Sequence, residues 1–256
     1  MIIRKSQAEI EKMARAGKIV RGCLEMLAKH VEPGVTTKEL DRLAEKYIRA
    51  HGGIPTFKGY RGFPGSICAS PNNMVVHGIP GRLRLREGDI LGIDVGVTLE
   101  GYIADAAVTV PVGEISEEAK ALLRVTEESL YRGIAQCRVG NRVGDISHAV
   151  QSYVEAHGYS VVRAMVGHGV GREMHEDPQV PNYGPPGQCP ELREGMVLAI
   201  EPMVNIGGYE VEVGPDSWAV YTKDGSLSAH FEHTVAITRT GPRILTAADG
   251  AEDVRS

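Results

Sequence analysis

Arg86-Glu-Gly-Asp-Ile-Leu-Gly-Ile-Asp94 and Arg193-Glu-Gly-Met-Val-Leu-Ala-Ile-Glu201 are one segment written twice. Each is an apolar, strand-like run that ends on a carboxylate. The copies lie 107 residues apart, and the same shift carries Gly101-Tyr102 onto Gly208-Tyr209. Upstream, a shift of 106 lays Tyr47, Ala50, His51 and Gly52 on Tyr153, Ala156, His157 and Gly158. The chain therefore reads as one domain, residues 1–256, built from two interlocked halves of about 1–112 and 113–256. Each half is helix, helix, strands, which predicts an α/β (α+β) protein with an internal pseudo-two-fold. An acid inside a run such as Ile-Leu-Gly-Ile-Asp-Val is costly to bury ionised and unpaired, so two in matching places point to a cation held between the halves.

The helices are legible from spacing. Ile10, Met13, Gly17, Val20, Leu24 and Leu27 recur on one helical face, and Thr36-x-x-Glu39 is a capping box opening a second helix with Leu40, Leu43, Tyr47 and Ile48. The second half repeats the plan with Leu122, Thr126 and Leu130, then Ile146, Ala149, Val150, Tyr153 and Val154. Residues 53–90 and 181–190 are rich in Gly and Pro and read as loops. Of 256 residues, 42% are hydrophobic, enough for a sizeable core, and the formal net charge is −5. Lys and Arg are scattered, so neither nucleic acid nor a membrane surface is an expected partner. The first residues run straight into charge without a leader-like segment, and no later run reaches membrane-spanning length, so a cytoplasmic location is expected. Cys23, Cys68, Cys137 and Cys189 form no Cys-x-x-Cys pair and read as reduced thiols.

Asp94 and Asp105 flank a hairpin. If its turn centres on Leu99 and Glu100, the two acids face each other directly, with β-carbons roughly 4.5–5.5 Å apart, where they repel unless one is protonated or a cation bridges them. Exposed hairpin acids are the alternative, against which the apolar flanks argue. His168 and His175 lie in the Gly-rich stretch Val166-Gly-His-Gly-Val-Gly-Arg-Glu-Met-His175, whose small residues let a ligand approach. His77, in Val-Val-His-Gly-Ile-Pro, is weaker evidence by itself. Glu201 copies Asp94. The repeat would match Asp105 to Glu212, whereas His230-Phe-Glu-His-Thr offers Glu232, and periodicity leaves both open. Several carboxylates with one imidazole make a hard, oxygen-rich set that suits Mn, Fe(II), Co or Zn in an open catalytic site, and carboxylates able to bridge favour two ions.

Taken together, His77, Asp94, Asp105, His168, His175, Glu201 and Glu232 resemble, in order, the site of the type I methionine aminopeptidases of the M24 metallopeptidase family, in their short bacterial form. The segments Ser66-Ile-Cys-Ala-Ser-Pro-Asn-Asn-Met-Val-Val-His-Gly-Ile-Pro80, Gly-Asp-Ile-Leu-Gly-Ile-Asp-Val, Gly-His-Gly-Val-Gly, Ala-Ile-Glu-Pro-Met and Phe-Glu-His-Thr carry the likeness, which spans nearly the whole chain. The resemblance implies the pita-bread fold, a pseudo-two-fold arrangement whose central antiparallel sheet is covered by helices, and it selects Glu232 over Glu212. It implies two divalent ions held by Asp94, Asp105, His168, Glu201 and Glu232, with Glu201 also the general base. His175 would polarise the scissile carbonyl, and His77 would touch the amide beyond the cut. Tyr60, Phe63, Cys68 and Trp218, edged by Phe57 and Met174, would form the methionine pocket. Many relatives carry tyrosine at Phe63, phenylalanine at Met174 and glutamine at His230, so pocket details differ here. The implied substrate is the N-terminal methionine of peptides and nascent proteins. A monomer is expected, and the resemblance allows a transient ribosome contact.

Three rivals stand beside this reading. Proline-specific relatives share the ligand order but usually carry an extra amino-terminal domain, whereas the first helix here starts within ten residues of Met1. Type II methionine aminopeptidases typically carry an insertion between the positions of His168 and Glu201, where this chain has only 32 residues. A non-catalytic relative would have lost ligands that are all present here.

Overall fold

The computed structural model describes residues 1–247. Helix α1 spans Gln7–Ala28 and α2 spans Thr37–Ala50. Strands β1 (Ile54–Pro55), β2 (Ile67–Pro71), β3 (Met74–Val76), β4 (Ile90–Leu99) and β5 (Tyr102–Pro111) complete the first half. Helices α3 (Glu117–Ala135) and α4 (Val143–Ala156) open the second. There follow β6 (Ser160–Val161), β7 (Gly167–Gly169), β8 (Glu176–Val180), β9 (Val197–Ile200) and β10 (Met203–Asn205). The last strands are β11 (Val211–Val213), β12 (Val220–Thr222), β13 (Ser228–His230), β14 (Glu232–Thr238) and β15 (Gly241–Ile244). Among the described residues no helix is long and apolar enough to cross a membrane.

Both helices of the first half start on capping boxes. Ser6 and Thr36 accept the Glu9 and Glu39 amides, and each glutamate accepts the cap residue's own N–H. Such reciprocal caps satisfy donors that the helix itself cannot, each worth about 1 kcal/mol. The buried stripe on α1 includes every apolar position expected from spacing. On α2, Leu40, Ala44 and Ile48 are buried, while Leu43 and Tyr47 pack at the margin.

The main sheet runs β1-β4-β5-β14-β9-β7-β8, with β2 added on β4 and β15 on β14, all pairs antiparallel. At its centre β4 and β5 of the first half meet β14 and β9 of the second, so the halves join where β5 pairs with β14. Alternation along β4 divides the labour. Leu91, Ile93, Val95 and Val97 pack with residues of α1 and α2, while Gly92, Asp94 and Gly96 point to the other face. On β9 and β14, Leu198, Ile200, Val235 and Ile237 pack with α3 and α4 in the same way. Each helix pair thus covers one half of the sheet, leaving the opposite face for chemistry.

The hairpin register corrects one expectation. Leu99 pairs with Tyr102, so the turn centres on Glu100-Gly101, and Asp94 faces Ala107 while Asp105 faces Gly96. Both turn residues have positive φ, 51° and 77°, as a two-residue turn matched to strand twist requires. Glu100 occupies this strained position with its carboxylate held by Arg15 of α1 at 2.8 Å. The slip is two residues, an even number, so both aspartates stay on one face as diagonal rather than direct neighbours. The stretch 53–90 also departs from a pure loop. Ile67–Pro71 is a fully buried strand on β4, short and without alternation, which is why it carries no periodic signal.

Candidate metal centre

The register assembles the site. Cys68 pairs with Asp94, Asp94 with Ala107, and Ala107 with Glu232. Glu201 follows Ile200, whose partner His233 neighbours Glu232, and so it continues the same row. Two residues along the strands, a second row on the same face holds Gly96, Asp105, Thr234, Ala199 and His168. Neighbouring strands β4, β5, β14, β9 and β7 thus deliver Asp94, Asp105, Glu232, Glu201 and His168 to one patch. Three other positions in the rows, Gly96, Ala107 and Ala199, are small, which leaves room above the sheet. The ring of Phe57 lies where a side chain at Gly96 would be.

Asp105 is 1% exposed, Glu232 3% and His168 8%. One ligand atom from each of these three lies within 4.8 Å of the other two. His168 Nε2 is 3.6 Å from Asp105 Oδ2 and 3.5 Å from Glu201 Oε1. His168 Nδ1 lies 2.9 Å from the Gly169 carbonyl oxygen, which can only accept, so Nδ1 donates to it and Nε2 is the ring nitrogen turned to the acids. The Thr234 hydroxyl, 2.8 Å from Asp105 Oδ1, donates to it and fixes that carboxylate from the β14 side. Two oxygens, Asp94 Oδ1 and Asp105 Oδ2, are buried with no hydrogen-bond partner among the described residues. Orphaned buried oxygens cost about 1–3 kcal/mol each, more when charged, unless something binds them. The donor set, four carboxylates and one imidazole around unsatisfied oxygens, fits divalent cations.

Without cations the acids cannot all ionise. Burial, only partly offset by His230, pushes Asp94 up to about 8, and Asp105 and Glu201 add to the rise. Burial likewise takes Glu201 up to about 8. Glu232 is raised well above the carboxylate range by burial and by its three acidic neighbours, and Asp105 is raised chiefly by burial.

Around this patch stand the remaining candidates. His175 is exposed at the mouth, its ring 4.4 Å from that of His168 and its Nδ1 2.8 Å from the Tyr60 hydroxyl. Desolvation by neighbouring atoms lowers its pKa to about 4, and the nearby His168, Arg61 and His77 act in the same direction. His77 is held with φ 61° just after β3, and desolvation lowers it also to about 4. Phe57, Phe63, Cys68 and Met174 are buried in one apolar cluster with Tyr60, Ile79 and Trp218 at its margin. Phe63 and Trp218 meet edge to face at 5.1 Å. Burial raises the Cys68 thiol well above its usual range, so it serves as an apolar wall. Glu212 lies apart, exposed on β11 of a separate three-stranded sheet.

Sequence reasoning named His230 only as a departure bearing on the pocket, and it missed Ile79. His230, at the end of β13, places Nε2 3.6 Å from Glu201 Oε2, so that Glu201 lies between two imidazoles. That Nε2 is buried and, among the described residues, makes no hydrogen bond. Ile79 joins the apolar cluster from the loop after His77. The Gly-Ile-Pro context does not tell which way Ile79 faces.

Residues 11–239 match metallopeptidase family M24. The chain belongs to this family. It is 58% identical to the methionine aminopeptidase of Clostridium acetobutylicum over 97% of this chain and 100% of that one. It is 56% identical to methionine aminopeptidase 1 of Bacillus subtilis over 96% and 99%. The crystal structure of methionine aminopeptidase from Thermotoga maritima superposes with a TM-score of 0.95 at 48% identity, covering 97% of this chain and all of that one. The prolidase from Pyrococcus furiosus shares the fold, with a TM-score of 0.79 at 22% identity over 96% of this chain and 66% of that one. The M24 architecture is the pita-bread fold expected from the sequence.

Proposed function

We propose that the chain is a metal-dependent exopeptidase that removes the initiator methionine from new polypeptides, preferring a small second residue. The observation that carries the reading is the delivery of five ligand-type side chains by neighbouring strands to one face, around buried oxygens that lack partners. The high identity to methionine aminopeptidases supports the substrate class. Asp94, Asp105, His168, Glu201 and Glu232 would hold two divalent ions, Co, Mn, Fe(II) or Zn. Bound there, such ions supply Lewis acidity, both to a water that must lose a proton near neutral pH and to the free amino group that marks the chain's first residue.

The protein's own groups do the rest. Glu201 takes the proton of the attacking water and returns it to the departing amide nitrogen. With its pKa lowered to about 4, His175 is neutral at pH 7, so it gives a hydrogen bond rather than a proton. In this role the hydroxyl of Tyr60, 2.8 Å from Nδ1, donates to it, so that the imidazole hydrogen sits on Nε2 to stabilise the carbonyl oxygen as charge develops. His77 contacts the amide beyond the cut. Tyr60, Phe63, Cys68 and Trp218, with Phe57 and Met174 at the edge, form an apolar, polarizable slot for the thioether. The same reading makes residues 1–256 one catalytic domain, a cytoplasmic monomer acting on nascent chains, with any ribosome contact transient.

A panel of Met-Xaa peptides with Gly, Ala, Leu or Arg second, beside Xaa-Pro peptides, tests the proposal. Methionine release confined to the small second residues is the expected result. Cleavage only before proline would move the chain to the proline-specific branch of the fold.

A further inference from the structure

We propose that a buried ion pair between Lys5 and Glu176 positions His175, an inference that rests on the oxyanion role given to His175 above. Lys5 Nζ lies 2.7 Å from Glu176 Oε2, with the two side chains only 3% and 6% exposed. Nothing in the helix that follows requires this lysine. Ser6 caps α1, and Lys5 instead runs its backbone along the turn before β9, donating its N–H to the Gly195 carbonyl at 2.6 Å. Its ammonium also donates to the Ile3 carbonyl at 3.3 Å.

Glu176 is the other half of the device. While Oε2 takes the lysine, Oε1 accepts the backbone N–H groups of Arg172 at 2.9 Å and Glu173 at 3.3 Å. One carboxylate therefore closes the turn from Arg172 to Glu176, and Met174 and His175 lie inside that turn. Gly171 leaves the space for it, since a β-carbon there would come within 2.5 Å of Glu176 Oε1 and 2.6 Å of Lys5 Cε. Two ions taken out of water contribute little net stability, and removing one partner strands the other. A buried pair of this kind is better explained by the geometry it fixes. His175 is exposed, with Tyr60 as its one hydrogen-bond partner on the ring among the described residues, so the turn beneath it sets where the imidazole stands. Displacements of about 1 Å in a catalytic group can cost on the order of a hundredfold in rate.

The test is a double-mutant cycle on the metal-loaded enzyme with Met-Gly-Met-Met as substrate. Lys5→Met should lower kcat roughly ten- to a hundredfold with KM little changed. Lys5→Arg, which keeps the charge, should recover part of that loss. In a His175→Ala background, Lys5→Met should add nothing, and calorimetry should find manganese affinity unaltered. If Lys5→Met does not fold, Glu176→Gln carries the same cycle, because it keeps an acceptor for the two backbone N–H groups and removes the charge. Equal losses in both backgrounds, or a parallel fall in manganese affinity, would overturn the positioning role. A normal kcat in Lys5→Met beside a slow His175→Ala would overturn it too. A normal kcat in His175→Ala itself would instead contradict the role given to that histidine.

Discussion

Asp94, Asp105, Glu201 and Glu232 crowd four carboxyl groups into one buried patch, and the way that charge is settled governs both stability and metal affinity. Unfolded, each titrates near 4, whereas in the metal-free fold Asp94 and Glu201 lie at about 8. A folded pKa raised above the unfolded one means that these groups favour folding fully below pH 4 and progressively less as pH rises towards 8. Cations need the ionised ligands, so binding must expel the retained protons. Two outcomes are expected. Calorimetry in buffers of different ionisation enthalpy should detect proton release on manganese binding, and the rise in Tm produced by manganese should be larger at pH 8 than at pH 5.5. A metal effect on Tm that is flat with pH would contradict the assignment of these acids as ligands. In the role proposed for His175, its bond to oxygen strengthens only as charge develops, so His175→Ala should lower kcat more than it raises KM. An effect confined to KM would remove it from the oxyanion role.

At the scale of elements, the parts written in local chemistry were legible and the parts set by distant partners were not. The capping box at Thr36 and Glu39 announced α2 correctly, and Thr36→Ala should lower stability by about 1 kcal/mol in urea unfolding. The β4–β5 turn shows the limit. Glu100 is an unusual residue for positive φ, and its carboxylate is held by Arg15, far away in sequence on α1. Sequence alone therefore centred the turn one residue early and misplaced the facing pairs. Gly101, at φ 77°, should tolerate alanine poorly, and Gly101→Ala should lower stability by about 1 kcal/mol. β2 escaped notice because a short, wholly buried strand lacks alternation. The Lys5–Glu176 pair joins residues that no spacing rule connects.

At the scale of the whole molecule, the duplicated Arg-Glu-Gly segment gave the architecture, two halves meeting at β5 and β14, but not every ligand. The second half inserts β10 to β13 between β9 and β14, so the partner of β5 arrives later than a strict repeat would place it. That excursion explains why periodicity held Glu212 level with Glu232, although Glu212 lies on a separate sheet. The fold alone does not choose a substrate, since a prolidase shares it at 22% identity. The proposed methionine slot is the apolar cluster beside Asp94, where Cys68 and the Phe63–Trp218 pair stand. The most direct test of the central claim is hydrolysis of Met-Gly-Met-Met by metal-stripped protein refilled separately with Mn, Co, Fe(II) or Zn. Methionine release that is absent from the stripped protein and restored by at least one of these ions is the predicted result. Full release by stripped protein, or none with any ion, would contradict it.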